Sequence, residues 1–334
     1  MRDVLRNKES GICHDSSVKC SIIVPVYNAG RLLEQAVNSI ESQTVASWEL
    51  IVCDDASRDG CCDFLEHKSK RDPRIRMIRN EVNIGPGPAR DKAIDTATGK
   101  LIAFLDADDS WHPTRLEKML NAWDGSETTL VFDDLMICHH HPSGDIVPWQ
   151  RLRGRKAFSN QTNDRSYISF ESYLVSSRLI IKPIFSRAFV IKSKIRHSSA
   201  RFAEDADYIC QLAAHGMEFI YLPEALYNYR VTPGSLTAEE EDKSVMRRTL
   251  LSCRDAYQWD QVTIDAFNRK VESLGDQEEL YALAKELFSG RISLFSRRIS
   301  KRPRLVLLAI DKALVRLRYI IHRRLNGGIR RDLK

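Results

Sequence analysis

The stretch Leu101–Asp109 reads Leu-Ile-Ala-Phe-Leu-Asp-Ala-Asp-Asp and places three carboxylates directly after five apolar residues. The apolar run predicts a short buried strand. Carboxylates crowded at a strand end repel one another, which favours a positive ion among them, and Mg²⁺ or Mn²⁺ binds between one or two Asp side chains and the phosphates of a substrate. The alternative is a polar strand-to-helix turn in which Asp109 or Ser110 caps a helix that begins near Pro113.

Alternating strand and helix patterns surround this stretch and predict one parallel sheet. Three buried strands are predicted ahead of it, at Cys20–Val26, Trp48–Cys53 and Ile75–Arg79, each followed by a helical pattern. Because ligands bind at the carboxyl edge of such sheets, the loops that leave these strands are candidate ligand-binding loops. The glycine pattern of a dinucleotide site does not follow the first strand, and no P-loop pattern is present, which argues against both of those sites.

Composition indicates an ordinary globular protein with room for one large α/β domain and an appendage. The chain has 334 residues, of which 43% are hydrophobic and 29% charged. It has neither the roughly 18 consecutive apolar residues of a transmembrane helix nor the apolar core of a signal peptide, so we expect it in the cytosol. Its eight cysteines lack the spacing of a metal knuckle and are expected to be reduced thiols.

The excess positive charge of the chain belongs to its C-terminal tail. Residues 291–334 carry 14 Lys or Arg against 2 acidic residues, whereas residues 1–290 carry 37 basic and 43 acidic side chains. Apolar and basic residues alternate along the tail, which favours a basic amphipathic helix on an anionic membrane surface. The alternative is a helix packed on the rest of the protein with a solvated basic face. No nucleic-acid-binding module is present, so nucleic acid is not a predicted partner.

Four motifs, in order and at normal spacing, resemble those of the family-2 glycosyltransferases of GT-A fold, which use nucleotide sugars: Ile23–Asn28, Asp54–Ser57, Asn83–Arg90 and Phe104–Asp109. Two later segments resemble the family's Glu-Asp motif and its downstream Tyr-Arg and Gly-Ser segment: Phe202–Tyr208 and Tyr229–Thr237. Three segments are also similar to bacterial succinoglycan-type exopolysaccharide glycosyltransferases: Gly85–Arg90, Leu130–Asp134 and Lys182–Phe185.

The resemblance implies an α/β GT-A fold with a C-terminal helical extension. A catalytic domain at 19–237 would combine a Rossmann-like nucleotide-sugar half (19–125) with a mixed-sheet acceptor half (126–237). A flexible arm (1–18) would precede it, and a helical extension with the basic amphipathic tail (238–334) would follow. Residues 133–182 turn polar and irregular, which fits variable acceptor-binding loops.

The resemblance also implies a nucleotide site at the carboxyl edge of the sheet. Pro25 and Tyr27 would line the uracil pocket, and Asp54 or Asp55 would accept a hydrogen bond from the base or ribose. Arg90 would begin the helix beside the nucleotide.

The remaining roles that the resemblance implies concern the metal and the transfer step. Asp106 would face the ribose and the metal, and Asp108 would bind the Mg²⁺ or Mn²⁺ that bridges the diphosphate. Asp205 would be the catalytic base, and Glu204 would hold the acceptor or orient a neighbour. The alternative for this pair is a helix N-terminus with acidic residues in its first turn.

Arg230 ends a predicted strand before the turn Thr232–Ser235. This turn could fold over the diphosphate as a lid, with Arg230 paired to a phosphate. The alternative is a solvated turn.

Two residues depart from the family pattern. Ala56 stands where the family often has glycine, which costs little if the turn keeps a negative φ. Asp91 stands where the family often has asparagine, and its extra negative charge leads us to leave it out of the predicted site.

The predicted function is an inverting, metal-dependent transfer of a hexose, with glucose as the leading candidate, from a UDP-sugar to a polyprenyl-diphosphate-linked saccharide in bacterial exopolysaccharide assembly. The enzyme would lie in the cytoplasm, peripheral to the inner face of the membrane. One alternative is a nucleotidyltransferase, although the loop Tyr27–Gly30 lacks the glycine-rich, basic pattern of that class. The other is a catalytically degenerate homologue that binds glycan or membrane.

Overall fold

The structure, a computed structural model, describes residues 20–140, 146–152, 158, 166–176, 179–200, 202–231 and 241–288. The predicted N-terminal arm, the basic tail and the Thr232–Ser235 turn lie outside these residues. Within the described part of the chain, no helix is both long and apolar enough to cross a membrane.

Strands and helices alternate along the first part of the chain, and helices dominate its end. The strands are β1 (Cys20–Val26), β2 (Trp48–Asp54), β3 (Ile75–Arg79), β4 (Leu101–Phe104), β5 (Ser110–Trp111), β6 (Thr129–His140), β7 (Ile146–Arg151), β8 (Ser166–Ile168), β9 (Ile184–Ser186) and β10 (Glu218–Val231). The helices are α1 (Leu32–Glu41), α2 (Asp63–Arg71), α3 (Pro86–Thr96), α4 (Arg115–Ala122), α5 (Phe170–Val175), α6 (Arg187–Ser193), α7 (Glu204–Ala214), α8 (Glu241–Ala256) and α9 (Gln261–Phe288).

The first four strands form the parallel part of the sheet, in the order β3-β2-β1-β4. Every residue of β1, β2 and β4 is buried, as the continuous apolar runs predict for strands covered on both faces. In α1, the buried residues recur at helical spacing and pack on the sheet: Leu33, Ala36, Val37 and Ile40. The predicted parallel β-α units are confirmed.

Beyond β4 the sheet becomes mixed. Its order continues as β4-β9-β6-β10-β5, with β9 antiparallel to both β4 and β6, and with β6 parallel to β10. The central position of β4 places the carboxylates that follow it between the parallel and mixed parts of the sheet. This arrangement agrees with the predicted mixed second half.

The prediction of an irregular chain between residues 133 and 182 was wrong for much of this region. Strand β6 continues to His140 and pairs with β7, whereas β8 pairs with β10 and α5 follows it. These elements depend on pairing with distant segments, as in the register that sets Tyr221 beside Phe132. Local polarity does not reveal such long-range partners.

The described part of the C-terminal extension packs against the mixed part of the sheet. Leu250 of α8 and Phe267 of α9 lie in the same buried cluster as Phe219 of β10. At the surface of this contact, the Thr263 hydroxyl donates to Glu171 Oε1 at 2.6 Å. Residues 241–288 therefore share the core of the sheet domain.

Candidate active site

The carboxyl ends of β1, β2 and β4 bring several predicted nucleotide-site residues to one edge of the sheet. Pro25 is buried in β1, and Tyr27, directly after that strand, is 53% exposed. Asp54 and Asp55 leave β2, and Asp106 leaves β4. An exposed aromatic ring beside buried carboxylates suits a ligand with a planar base and polar edges.

Hydrogen bonds within the chain hold both β2 carboxylates. Asp55 accepts from the backbone N–H groups of Ile84 at 2.9 Å and Gly85 at 2.8 Å, so it fastens the loop before α3. Asp54 is buried; its Oδ1 accepts from the Ser57 backbone N–H at 2.9 Å, and its Oδ2 forms an ion pair with Arg79 Nε at 3.4 Å. These bonds give both residues a part in shaping the edge, and their contact with a nucleotide stays a prediction.

The turn after Asp55 has a conformation that its sequence does not favour. Ala56 has φ +66°, in the left-handed region. A low cost for alanine required a negative φ, and this condition is not met, because the loop bends back to place Ser57, whose Oγ accepts from the Asn28 N–H at 3.0 Å. For an L-residue this conformation costs roughly 1–2 kcal/mol.

A network of ion pairs around the buried Arg90 joins α3, the end of β4 and α7. Arg90 Nη2 lies 2.8 Å from Asp106 Oδ1, and its Nη1 lies 3.0 Å from Glu204 Oε1 and 3.1 Å from Asp205 Oδ1. Four residues that the sequence assigned to the nucleotide or to catalysis are therefore in direct contact. Among the described residues, Tyr27 makes no hydrogen bond to this network.

Lys182 completes the network and was missed by the sequence analysis. Its ammonium nitrogen lies 2.7 Å from Asp106 Oδ2 and 2.7 Å from Asp205 Oδ2. The segment Lys182–Phe185 contributed to the resemblance, but no residue in it had a predicted role. We call Arg90, Lys182, Asp106, Glu204 and Asp205 the Arg90–Lys182 cluster.

Burial, the two cations and repulsion between neighbouring carboxylates set the pKa values of the three carboxylates. Burial alone would raise the pKa of Asp205, but Lys182 and Arg90 outweigh it and hold that pKa well below its usual range. The same balance of burial, Lys182 and Arg90 lowers the pKa of Asp106. Burial, followed by the neighbouring Asp205 carboxylate, raises the pKa of Glu204. Asp205 is thus an ionised carboxylate at neutral pH beside a carboxyl group that binds a proton more readily.

Asp109 holds β10 against the end of β4 and does not cap a helix. It is buried, and its carboxylate accepts from the Tyr227 hydroxyl at 2.8 Å and from the Arg230 backbone N–H at 2.7 Å. Helix α4 begins at Arg115, and neither Asp109 nor Ser110 caps it. Burial, followed by Asp108 and Asp106, raises the pKa of Asp109 well above its usual value.

Asp108 lies in the loop Asp106–Asp109, which we call the acidic loop. Burial and then the neighbouring Asp106 raise the pKa of its carboxyl group, whereas Lys182 and Arg230 act in the opposite direction from a distance. No ion pair to Asp108 occurs among the described residues. The described residues contain no group of three or more His, Cys, Asp or Glu side chains arranged to hold a metal. Mg²⁺ needs only one or two carboxylates when substrate phosphates supply further ligands, so Asp108 and Asp106 fit such an ion.

Arg230 presents donors that nothing in the described structure uses. Its side chain is buried, and Nη2 donates to Gln35 Oε1 at 2.8 Å. The buried Nε and Nη1 have no hydrogen-bond partner among the described residues. Burial lowers the pKa of this guanidinium, with Asp109 and Asp108 acting in the opposite direction. Unused donors near an acidic loop are suited to a bound anion such as a phosphate.

Asp91, which departs from the family pattern, binds a histidine. Its carboxylate accepts from the His197 backbone N–H at 2.8 Å and lies 2.7 Å from His197 Nδ1. The imidazole stacks on Tyr208 at 3.9 Å between ring centroids, and its burial lowers the pKa of His197. This pair fastens the residue next to Arg90 to the segment that leads into α7.

We expect Gly87→Ala to destabilise the protein by about 1–3 kcal/mol, because a Cβ at this position would lie 2.7 Å from the Ser198 carbonyl oxygen and 2.8 Å from His197 Cβ. Gly275→Ala in α9 is the matched control. Its nearest neighbour would be Arg247 Nη1 at 3.7 Å, so we expect stabilisation of about 0.4–1 kcal/mol. Urea unfolding followed by circular dichroism measures both effects. Equal stability of Gly87→Ala and the unaltered protein would contradict the close packing of α3 on residues 197–198.

Comparison with known proteins agrees with this geometry. Residues 21–182 match the model of Glycosyl transferase family 2, and this range contains the acidic loop, Arg90 and Lys182. Residues 21–182 therefore form a glycosyl transferase family 2 domain. The match ends at Lys182, so Glu204, Asp205 and Arg230 lie beyond it.

Two curated bacterial proteins are similar to parts of this chain. It is 30% identical over 229 residues to the succinoglycan biosynthesis protein ExoO of Rhizobium meliloti, an alignment that covers 65% of this chain and 62% of ExoO. It is 34% identical over 142 residues to WfgD of Escherichia coli, a UDP-Glc:alpha-D-GlcNAc-diphosphoundecaprenol beta-1,3-glucosyltransferase, with 42% of this chain and 55% of WfgD covered. The chain thus spans less than two thirds of the length of either relative.

A solved structure supports the fold. The chain superposes on residues 1–349 of S. aureus TarS in complex with UDP-GlcNAc with a TM-score of 0.61 and 20% sequence identity, and the match covers 92% of each chain. This likeness confirms the GT-A fold that the sequence motifs imply.

Proposed function

We propose that this chain is an inverting, metal-dependent glycosyltransferase. It transfers a hexose, with glucose as the leading candidate, from a UDP-sugar to a polyprenyl-diphosphate-linked saccharide in bacterial exopolysaccharide assembly. The Arg90–Lys182 cluster carries the proposal, because it joins Asp106 of the nucleotide edge to Asp205 at the start of α7. A donor-side and an acceptor-side carboxylate are held in one network.

Asp205 is the proposed base of the transfer step. The acceptor hydroxyl oxygen bonds to the anomeric carbon, the bond from that carbon to the diphosphate breaks, UDP leaves, and the hydroxyl proton passes to Asp205. Attack on the face opposite the diphosphate inverts the anomeric configuration. The lowered pKa of Asp205 keeps its carboxylate ionised at neutral pH. Glu204, beside it, is the proposed hydrogen-bond partner of the acceptor.

The donor's diphosphate is the proposed ligand of Arg230, whose two unused donors lie near Asp108 and Asp109. Pro25 and Tyr27 are the proposed walls of the uracil pocket, with Asp54 or Asp55 at the polar edge of the base or ribose. Mg²⁺ or Mn²⁺, held by Asp108 and Asp106, would neutralise charge on the leaving diphosphate. The absence of an ion pair to Asp108 among the described residues supports this assignment.

The relatives support the donor and acceptor classes. WfgD takes UDP-Glc as donor and a diphosphoundecaprenol-linked saccharide as acceptor, and ExoO acts in succinoglycan biosynthesis. We propose that the enzyme acts in the cytoplasm, peripheral to the inner face of the membrane. The basic tail proposed to hold it there lies outside the described residues. We propose catalytic-domain and extension boundaries at 19–237 and 238–334.

We expect one UDP-sugar to raise the melting temperature of the protein in the presence of Mn²⁺ and not in EDTA. A ligand present at 100 times its Kd stabilises the folded state by about 2.7 kcal/mol, which a thermal-shift assay detects. A panel of UDP-sugars is the test, and GDP- and ADP-sugars are the controls. An equal rise in EDTA would contradict metal dependence, and the lack of a rise with every UDP-sugar would contradict the donor class.

A further inference from the structure

Lys182 is a buried cation that connects the two sides of the candidate site. Its ammonium group lies 2.7 Å from an oxygen of Asp106 and 2.7 Å from an oxygen of Asp205, and its side chain is 5% exposed. Asp106 follows β4, whereas Asp205 belongs to the first turn of α7. One charged group therefore binds carboxylates from two separate elements, as Arg90 does from α3.

Strand pairing determines where the Lys182 side chain begins. Strand β9 is antiparallel to β4, with Ala103 opposite Ile184. Lys182 lies two residues before β9, in a buried segment that leads into this strand. The lysine thus reaches the carboxylate after β4 from the chain that enters the neighbouring strand.

A second buried ion pair fixes the backbone at Lys182. Arg115 Nη2 donates to the Lys182 carbonyl oxygen at 2.5 Å, and Arg115 Nε and Nη2 donate to Asp133 at 3.0 and 2.8 Å. Arg115 and Asp133 are both fully buried. A buried ion pair is costly to desolvate and is often no more stable than an apolar pair. Its contact with the Lys182 carbonyl gives this pair a local role, because it fixes the point from which the lysine side chain extends.

We propose that Lys182 is a positioning residue for the transfer reaction, which holds the Asp205 carboxylate in register with Asp106 so that the base faces the donor. This inference rests on the proposed function. The cluster contains three carboxylates and two cations. Without Lys182, the three carboxylates share Arg90 alone, and repulsion between Asp106 and Asp205 moves the base away from the donor.

The test compares Lys182→Met with Lys182→Arg and with Lys118→Met. Methionine keeps the length of the side chain without its charge, arginine keeps the charge, and Lys118 forms a half-exposed ion pair with Glu224 at the surface. The assay measures UDP release from UDP-glucose with Mn²⁺ and water as the acceptor, and calorimetry measures the Kd of UDP. For Lys182→Met, we expect kcat to fall about 30-fold or more with the Kd of UDP within about threefold.

Two further results separate a positioning role from a purely structural one. Lys182→Arg is expected to recover at least a tenth of the rate of UDP release that Lys182→Met loses. Arginine restores a cation between the carboxylates, although its planar group fits less well. In an Asp205→Asn background, Lys182→Met is expected to lower the residual rate by less than about threefold, because both changes remove the same effect. Lys118→Met should stay within about twofold of the unaltered protein.

Three other outcomes would overturn the positioning role of Lys182 or the proposed function. If Lys182→Met keeps its normal rate, or lowers the rate equally with and without Asp205, Lys182 does not position this base. If Lys182→Met fails to fold, Lys182→Arg tests the inference instead. A folded Lys182→Arg protein that releases UDP as slowly as Asp205→Asn would overturn the inference. If the unaltered protein neither binds UDP nor releases it from UDP-glucose, the proposed function fails and this inference fails with it.

Discussion

Asp205→Asn is expected to lower the transfer rate about 10³-fold and to leave the affinity for UDP within about threefold. The amide has nearly the shape of the carboxylate and keeps one oxygen as a hydrogen-bond acceptor for Arg90 or Lys182. It cannot accept the acceptor's proton at neutral pH, so the interaction lost is one made in the transition state. Initial rates of UDP release, together with calorimetric UDP binding, separate these two quantities.

Asp207→Asn is the matched control for this prediction. Asp207 lies on the same first turn of α7, and its carboxylate accepts from Gln211 Nε2 at 3.0 Å instead of joining the cluster. We expect its rate to stay within about twofold of the unaltered protein. Near-normal turnover of Asp205→Asn would remove Asp205 as the base. The raised pKa of Glu204 would then make that residue the next candidate.

The parallel part of the sheet could be predicted because its signals are local. The apolar runs of β1, β2 and β4 are continuous, and each parallel strand must be followed by a crossover, so their loops necessarily meet at one edge. Asp54, Asp55 and Asp106 were placed at that edge by this argument alone. The motif resemblance added Glu204 and Asp205, which periodicity would have assigned only to a helix start.

The antiparallel pairings could not be predicted in the same way. Lys182 reaches Asp106 because β9 pairs with β4 from about 80 residues away, and nothing near Lys182 in the sequence indicates that partner. Asp109 reads locally as a helix cap, yet a tyrosine and a backbone N–H from β10 bind it. Ala56 gives no local sign of its positive φ. In each case a long-range contact overrides the local preference.

Asp108→Ala is expected to abolish the Mn²⁺-dependent part of UDP binding, with a loss of at least about tenfold in affinity. The same change should leave the melting temperature of the ligand-free protein unchanged or higher. Burial and Asp106 raise the pKa of Asp108 in the folded protein, so above that pKa its negative charge destabilises the fold. Removing this carboxylate therefore relieves its burial and its repulsion with Asp106, which outweigh the attraction to Lys182 and Arg230, while it removes a proposed metal ligand.

The opposite signs of these two effects make the assignment of Asp108 testable. Substitution of a residue that only supports the loop would lower both the stability of the protein and its affinity for UDP. Substitution of a metal ligand would lower the affinity alone. Asp95→Ala, at a half-exposed position on α3 that pairs with Arg196, controls for the general effect of removing a negative charge and should change neither quantity by more than a small amount. Calorimetry with UDP in Mn²⁺ and in EDTA gives the affinity.

Unchanged affinity of Asp108→Ala for UDP in Mn²⁺ would show that Asp108 does not bind the metal. Asp106, which is already paired with Arg90 and Lys182, would then be the remaining candidate ligand.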